Sequence, residues 1–289
     1  MIPPPFDYHA PKTLPEAIAL LGKLGEEAKI LSGGQSLLPL LKLRFASPGH
    51  LIDIGRIPGL DYIKEEGGFL RIGALVREAE LERNPLITSQ YSILTDTARV
   101  IADPIVRNLA TVCGNLAHGD PANDHPATML ALGASVILTG PNGTRQLPVA
   151  SFFTGIFTTA LAPNEVLTEI RIPVPPAGSG GAYVKLERKV GDFATAGAAA
   201  FLVRKGNVIE RAGIGLTAVG PTPIKATAAE AFLVGKEPDA AVFAEAGRLA
   251  ADATSPNPDR RGQTDYKKDM ARVLTIRALQ KAARRAGGN

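Results

Sequence analysis

The chain has 289 residues, 45% hydrophobic and 21% charged, with a formal net charge of +4, an ordinary composition for a globular protein large enough for more than one domain. Its single cysteine, Cys113, excludes an internal disulfide and any iron–sulfur cluster or zinc site ligated by cysteines of this chain alone. The basic residues gather between Arg260 and Arg285 without aromatic companions, so they read as a helix surface, solvated or facing a partner, and not as a nucleic-acid footprint.

The first residues, M-I-P-P-P-F-D-Y-H, lack the basic and apolar regions of a signal peptide. No apolar run reaches the ~18 residues of a membrane span. No transmembrane segment is expected, and the expected compartment is the cytoplasm. Residues 13–24 predict an amphipathic helix, with Thr13 as N-cap, Pro15 in the first turn and Glu16 completing a capping box. A short apolar strand follows at 28–31. It runs into S-G-G-Q-S-L-L-P-L-L-K-L-R at 32–44. Gly33 and Gly34 there permit left-handed backbone and close approach of a ligand. Such a turn can aim amide N–H groups at an anion, with Ser36 adding a hydroxyl. Taken alone, it reads more readily as a plain strand-to-helix turn, because glycine pairs punctuate loops generally.

Further along, strands are expected at 51–54 and 69–73. Helices are expected at 76–83, closed by Pro85, and at 93–101, ended by Asp103–Pro104. Residues 108–126 read as a long irregular region and 127–132 as a short helix. Strands at 135–139 and 144–147 flank P-N-G, a hairpin signal, and another strand is expected at 166–172. The run P-V-P-P-A-G-S-G-G at 173–181 reads as a linker. Beyond it, 182–188, 198–204 and 208–216 predict an antiparallel three-stranded meander, followed by helices at 226–233, 240–253 and 265–286. In the last helix Tyr266, Met270, Val273, Ile276, Leu279 and Ala283 are expected to form the apolar face. The chain thus divides into an α+β body over 1–176, with parts at about 1–57 and 58–176, and a C-terminal domain over 177–289.

A second small-residue loop, T-V-C-G-N at 111–115, continues as L-A-H-G-D-P-A-N-D-H-P-A. Neither loop is G-x-G-x-x-G or G-x-x-x-x-G-K-[ST], so Rossmann and P-loop readings fail. Two such loops suggest a ligand with two phosphates held between backbone nests. His118, Asp120, Asp124 and His125 do not follow a zinc-enzyme spacing, and no metal site is assigned to them. Cys113 reads as a small buried residue and not as a reactive thiol.

At these residues the chain resembles the medium, FAD-binding subunit of the molybdenum hydroxylases. The first loop is similar to that family's A-G-G-[QH]-S-L-x-P-x-x-K-x-R, the second to its T-x-G-G-x-x-A-H-x-D-P-x-x-D, and R-K-V-G-D-F-A at 188–194 to its K-x-G-D-[FWY]-A. The likeness runs in register from Ile2 to the last helix and is greatest to the carbon monoxide dehydrogenase branch. It implies a two-part FAD-binding domain of the vanillyl-alcohol-oxidase (PCMH) type and a C-terminal domain of a three-stranded antiparallel sheet with helices. It implies FAD contacts from Lys29, Ile30, Leu31, Ser32, Gly33, Gly34, Gln35, Ser36 and Leu37, then from Thr111, Gly114 and Asn115. Asp120 and Asp124 are implied as polar contacts, and Leu161, Lys185, Asp192 and Phe193 as residues near the isoalloxazine, where Lys185 would favour the reduced anionic flavin.

The resemblance further implies a large subunit with a molybdenum cofactor and a small subunit with two [2Fe–2S] clusters. The complex would be a dimer of heterotrimers that passes electrons to an external acceptor, free to lie against the inner membrane face. Two departures stand out. Cys113 occupies a position that is usually Gly, and Cys does not readily take positive φ; Ser32 stands where Ala is common. A non-catalytic interaction subunit and a self-contained flavin oxidase of the same fold are the alternatives.

Overall fold

Three short strands open the fold: β1 (Asp7–His9), β2 (Ala28–Leu31) and β3 (His50–Asp53), all parallel in the order β1-β3-β2. The structure, a computed structural model, describes residues 2–287. Helix α1 (Leu14–Leu24) crosses between β1 and β2 and buries Ala17, Ile18 and Leu21. Thr13 caps it by accepting from the Glu16 amide at 3.3 Å. Glu16 reaches one residue further back than a capping box requires, accepting from the Lys12 amide at 2.8 Å. Helix α2 (Leu37–Leu43) follows β2 across the first glycine turn.

A five-stranded antiparallel sheet forms the second part, in the order β4-β5-β10-β6-β7. Its strands are β4 (Ile63–Glu66), β5 (Phe69–Gly73), β6 (Ser135–Gly140), β7 (Gly143–Pro148) and β10 (Val166–Pro173). A small hairpin, β8 (Phe153–Gly155) and β9 (Thr158–Thr159), precedes β10. Between β5 and β6 run α3 (Glu78–Arg83), α4 (Pro85–Gln90), α5 (Ser92–Arg99), α6 (Pro104–Arg107), α7 (Val112–His118) and α8 (Asp124–Leu132). Pro85 does more than close a helix: it starts α4, because Asn84 accepts from the Leu86 amide at 3.0 Å and proline needs no donor there. Likewise Asp103 caps α6 through the Val106 amide.

The stretch 108–126 corrects the expectation of an irregular region. Helix α7 occupies its middle, burying Val112, Cys113 and Leu116, and ends on Gly119 at φ 68. Small residues conceal a helix of this kind from periodicity, since one short turn offers few apolar positions. Helix α8 starts three residues earlier than 127, and all its residues are buried.

The linker is also shorter than its composition suggests. Strand β10 runs to Pro173 and β11 (Ser179–Leu186) begins before the glycine pair ends. With β12 (Ala196–Lys205), β13 (Val208–Thr217) and the two-residue β14 (Ile224–Lys225) it forms an antiparallel sheet of four strands, one more than the expected meander. Gly180 serves packing, not flexibility: a Cβ there would lie 2.2 Å from the Ala282 carbonyl oxygen. Helices α9 (Thr227–Leu233), α10 (Ala240–Asp252) and α11 (Thr264–Ala286) cover this sheet. Strand β12 is buried on both faces: Ala199, Phe201 and Val203 join the core of the preceding domain, while Ala198, Ala200 and Leu202 join a second core with α10 and α11. Period-two alternation therefore divides one strand between two cores.

The face of α11 is in part the expected one: Leu279 and Ala283 are buried, and Met270 and Ile276 pack against the second core. Ala271, Leu274, Thr275, Ala278 and Ala282 are buried, whereas Tyr266 is 46% exposed. Close approach to Gly180 selects small residues over large apolar ones. The basic end of α11 is partly committed as well. Lys281 Nζ lies 3.0 Å from Asp96 Oδ1 and Arg285 Nη1 2.6 Å from Asp96 Oδ2, which ties α11 to α5. Arg272 pairs locally with Asp269.

Candidate functional site

The two glycine loops meet. Strand β2 delivers Ser32 to its C-terminal end, where the Ser32 hydroxyl lies 3.1 Å from that of Thr111. Gly33 is pressed against the second loop: a Cβ there would sit 2.4 Å from Leu109 O and 2.9 Å from Thr111 N. Only glycine permits that approach. Gly34 has φ 74, and its carbonyl accepts from Leu38 N at 2.9 Å as the chain enters α2. Gln35 turns back to donate to Gly33 O at 3.2 Å. Lys29 is exposed, while Ile30, Leu31, Ser36 and Leu37 are half-buried around the turn.

The second loop is held from behind by the segment before α3. Glu78 N donates to Ala110 O at 3.0 Å, Val112 N to Val76 O at 3.1 Å, and the Arg77 guanidinium to Leu109 O. Thr111 stands at the N-cap position of α7 with its carbonyl accepting from Asn115 N. Gly114 makes room for it, since a Cβ there would fall 2.6 Å from Thr111 Oγ1. The concern over Cys113 dissolves: it is an α7 residue outside the positive-φ set. It is 2% exposed, and burial pushes its thiol up from the ordinary value.

Asp120 and Asp124 diverge. Asp120 is half-buried and its carboxylate accepts from Ala122 N at 2.8 Å, forming a local turn. Asp124 is buried and accepts from the Tyr183 hydroxyl and, at 3.0 Å, from Lys185 Nζ. Burial pushes the Asp124 carboxyl up, against the pull of Lys185 and Tyr183. The Lys185 ammonium also donates to Val100 O at 2.9 Å and lies 3.3 Å from Glu187. Two of its donors are thus hydrogen-bonded to protein, with Glu187 adding an opposite charge.

Asp192 and Phe193 lie on a turn packed against Ala102. Gly191, φ 81, abuts Ala102, whose carbonyl oxygen would be 2.7 Å from a Cβ. Arg261, 3.0 Å away, holds the Asp192 carboxyl down at about 2, with the Phe193 amide and Arg188 assisting. The Phe193 ring is half exposed. Leu161 is half-buried beyond the β8–β9 hairpin, whose Phe157 N donates to Gly119 O at the end of α7. His118 packs 5.2 Å from the Phe157 ring, and burial pushes its pKa down. The structure therefore brings the first and second loops together and pairs Asp124 with Lys185. Asp192 and Phe193 stand next to the Ala102 turn that leads into α6.

Residues 4–175 match the FAD binding domain of molybdopterin dehydrogenases, and residues 181–282 the CO dehydrogenase flavoprotein C-terminal domain. The chain belongs to this family of FAD-binding molybdopterin dehydrogenase chains. The carbon monoxide dehydrogenase medium chain of Hydrogenophaga pseudoflava is 49% identical over 98% of this chain and 98% of its own. That of Afipia carboxidovorans is 46% identical over 99% of each chain. A solved carbon monoxide dehydrogenase from Hydrogenophaga pseudoflava, lacking the Mo-pyranopterin moiety of its cofactor, superposes with a TM-score of 0.96 over 99% of each chain.

The residues of this flavoprotein fit an FAD. Gly33 and Gly114 let the two loops close on each other, and Asn115 Oδ1 beside them is a buried acceptor with no partner among the described residues. Reasoning from sequence missed Arg77, Tyr183, Asn123 and Thr217. Tyr183 carried a signal, since it shares a strand face with Lys185 at i, i+2. Arg77 carried none.

Proposed function

We propose that this chain is the FAD-carrying medium subunit of a three-subunit, carbon monoxide dehydrogenase-like molybdenum hydroxylase. The observation that carries the reading is the contact of the two loops, Ser32 to Thr111 and Gly33 under Leu109, within the segment that matches the FAD binding domain. Ser32–Leu37 and Thr111–Asn115 supply the backbone and hydroxyl donors for the pyrophosphate and adenosine side. Leu161, Asp192 and Phe193 flank the isoalloxazine, and Lys185 acts from behind through Asp124. The division near residue 176 belongs to the same reading.

Bound FAD supplies the redox chemistry, accepting electrons from the [2Fe–2S] clusters of a small subunit and releasing them to an external acceptor. The chain's own residues bind and orient it and exclude water. The large subunit, with its molybdenum cofactor, oxidises the substrate, for which carbon monoxide is the first choice; the whole is a dimer of heterotrimers in the cytoplasm. Among the described residues no helix is long and apolar enough to cross a membrane.

Purification of the native assembly tests this reading. Flavin absorbance, molybdenum and iron in one complex, with carbon monoxide-dependent reduction of a dye, is the expected result. Absence of flavin favours a non-catalytic subunit, and turnover by the chain alone favours a self-contained oxidase.

A further inference from the structure

The C-terminal sheet holds the second loop at a distance, through the segment that joins α7 to α8. Lys185 on β11, Gly197 on β12 and Thr217 on β13 are register partners, so they form one row across the sheet. Gly197 makes room within that row: a Cβ there would lie 2.4 Å from Tyr183 Oη and 2.6 Å from Thr217 Cγ2. Gly213, Gly215 and Thr217 alternate onto one face of β13. Helix α8 is seated on that face so closely that a Cβ at Gly213 or Gly215 would be 1.9 Å from the Ala131 or Ala127 carbonyl oxygen.

Thr217 extends this seat to the chain entering α8. It is fully buried, and its hydroxyl lies 2.9 Å from Pro121 O and 2.5 Å from Asn123 O, one proton serving either carbonyl. Ala218 N donates to Pro121 O at 2.9 Å, from a residue held at φ 63. A non-glycine residue in that region persists where its surroundings over-determine it. On the other side Asn123 Nδ2 donates to Asn115 O at 2.8 Å. A continuous path thus runs from Thr217 through 121–123 to Asn115, which belongs to the second loop.

We propose that Thr217 is a positioning residue for the cofactor: it fixes the segment 121–123 and, through Asn123, the second loop, so that FAD affinity depends on a hydroxyl of the C-terminal sheet. The inference rests on the FAD reading of the loops.

The test uses the native assembly, stripped of flavin and titrated with FAD, together with amide exchange. Thr217→Val is expected to weaken FAD binding about tenfold, since one buried hydroxyl and its bond are lost, and to speed exchange over residues 115–123 alone. Thr217→Ser keeps the hydroxyl and is expected to bind within about twofold of the unsubstituted chain. If Thr217→Val does not accumulate, Asn123→Ser cuts the same path and carries the same expectation. Unchanged FAD affinity in Thr217→Val overturns the inference. So does equal weakening in Val and Ser variants, or faster exchange throughout the chain, either of which reduces Thr217 to general packing. If the unsubstituted assembly takes up no FAD, the loop reading fails, and exchange alone decides the clamp: faster exchange confined to 115–123 supports it and unchanged exchange overturns it.

Discussion

The side-chain oxygens of Ser32 and Thr111 lie 3.1 Å apart although 79 positions separate them in sequence. This bond closes one loop against the other at the C-terminal end of β2. It also explains the serine where the family commonly has alanine: the hydroxyl finds a partner already present on the second loop. Neither loop is a site by itself. The first presents a glycine turn before α2 and the second the N-terminal turn of α7, and their contact makes a single cradle.

Gly33 is where that cradle is most sensitive. A Cβ meets the backbone of Leu109, Ala110 and Thr111, which cannot swing aside as a side-chain tip would. Gly33→Ala is expected to destabilise the chain by about 1–3 kcal/mol and to lose its flavin. Ser32→Ala removes only the hydroxyl pair, for about 0.5–1.5 kcal/mol, and retains most of the flavin. The ratio of flavin to protein absorbance, with a thermal melt, checks both. Full flavin in Gly33→Ala would refute the placement of the first loop.

Lys185 and Asp124 form an ion pair whose side chains are 2% and 7% exposed. Removing one partner strands a buried charge. Lys185→Met is expected to cost roughly 3–5 kcal/mol, read from denaturant unfolding. Asp124→Asn in the same chain should recover most of that, because the amide oxygen still accepts from Tyr183 while the carboxylate charge is gone. Additive losses in the double variant would show that the two residues act separately.

Cys113 is enclosed beneath the second loop, near the carbonyl oxygens of Ile72 and Gly73. With its thiol pushed up by burial, little thiolate exists near neutral pH. The folded chain is expected to resist a thiol-specific reagent and to react fully once denatured. Cys113→Gly, the family's usual residue, gives up packing and helix propensity, the propensity alone at roughly 0.3 kcal/mol. Rapid labelling of the native chain would contradict the enclosed position.

Much of this architecture was legible in the residues, and the exceptions share a cause. The 28–31 strand, the P-N-G hairpin and the Thr13 cap are local signals, and each appears where its residues place it. Helix α7 was hidden because Val112–His118 is short and built of small residues. The face of α11 was legible in part: Leu279 and Ala283 pack as periodicity predicts, whereas close approach to Gly180 sets Ala282 against the sheet and Tyr266 stays exposed. Lys281 and Arg285 read as a solvated or partner-facing surface because their intrachain partner, Asp96, lies far away in sequence. Motif resemblance nominated Asp124 and Lys185, yet only tertiary structure pairs them with each other.

Asp192 offers a test by pH. Its carboxyl is held at about 2 by Arg261 first, with Phe193 N and Arg188 adding to the pull, whereas an unfolded aspartate titrates near ~3.9. A depressed folded value means that the group contributes stability above the unfolded value and loses it as pH falls through the folded one. The tie between the 188–193 turn and Arg261 should therefore be intact above about pH 4 and disappear towards about pH 2. Arg261→Gln removes the largest cause, so the Asp192 carboxyl should move up towards the ordinary aspartate range. Carboxyl carbon shifts followed by NMR across acid pH check this directly. An Asp192 midpoint that does not move in Arg261→Gln would mean that Arg188 and the Phe193 amide suffice, and that the Arg261 contact does not anchor the turn carrying Phe193.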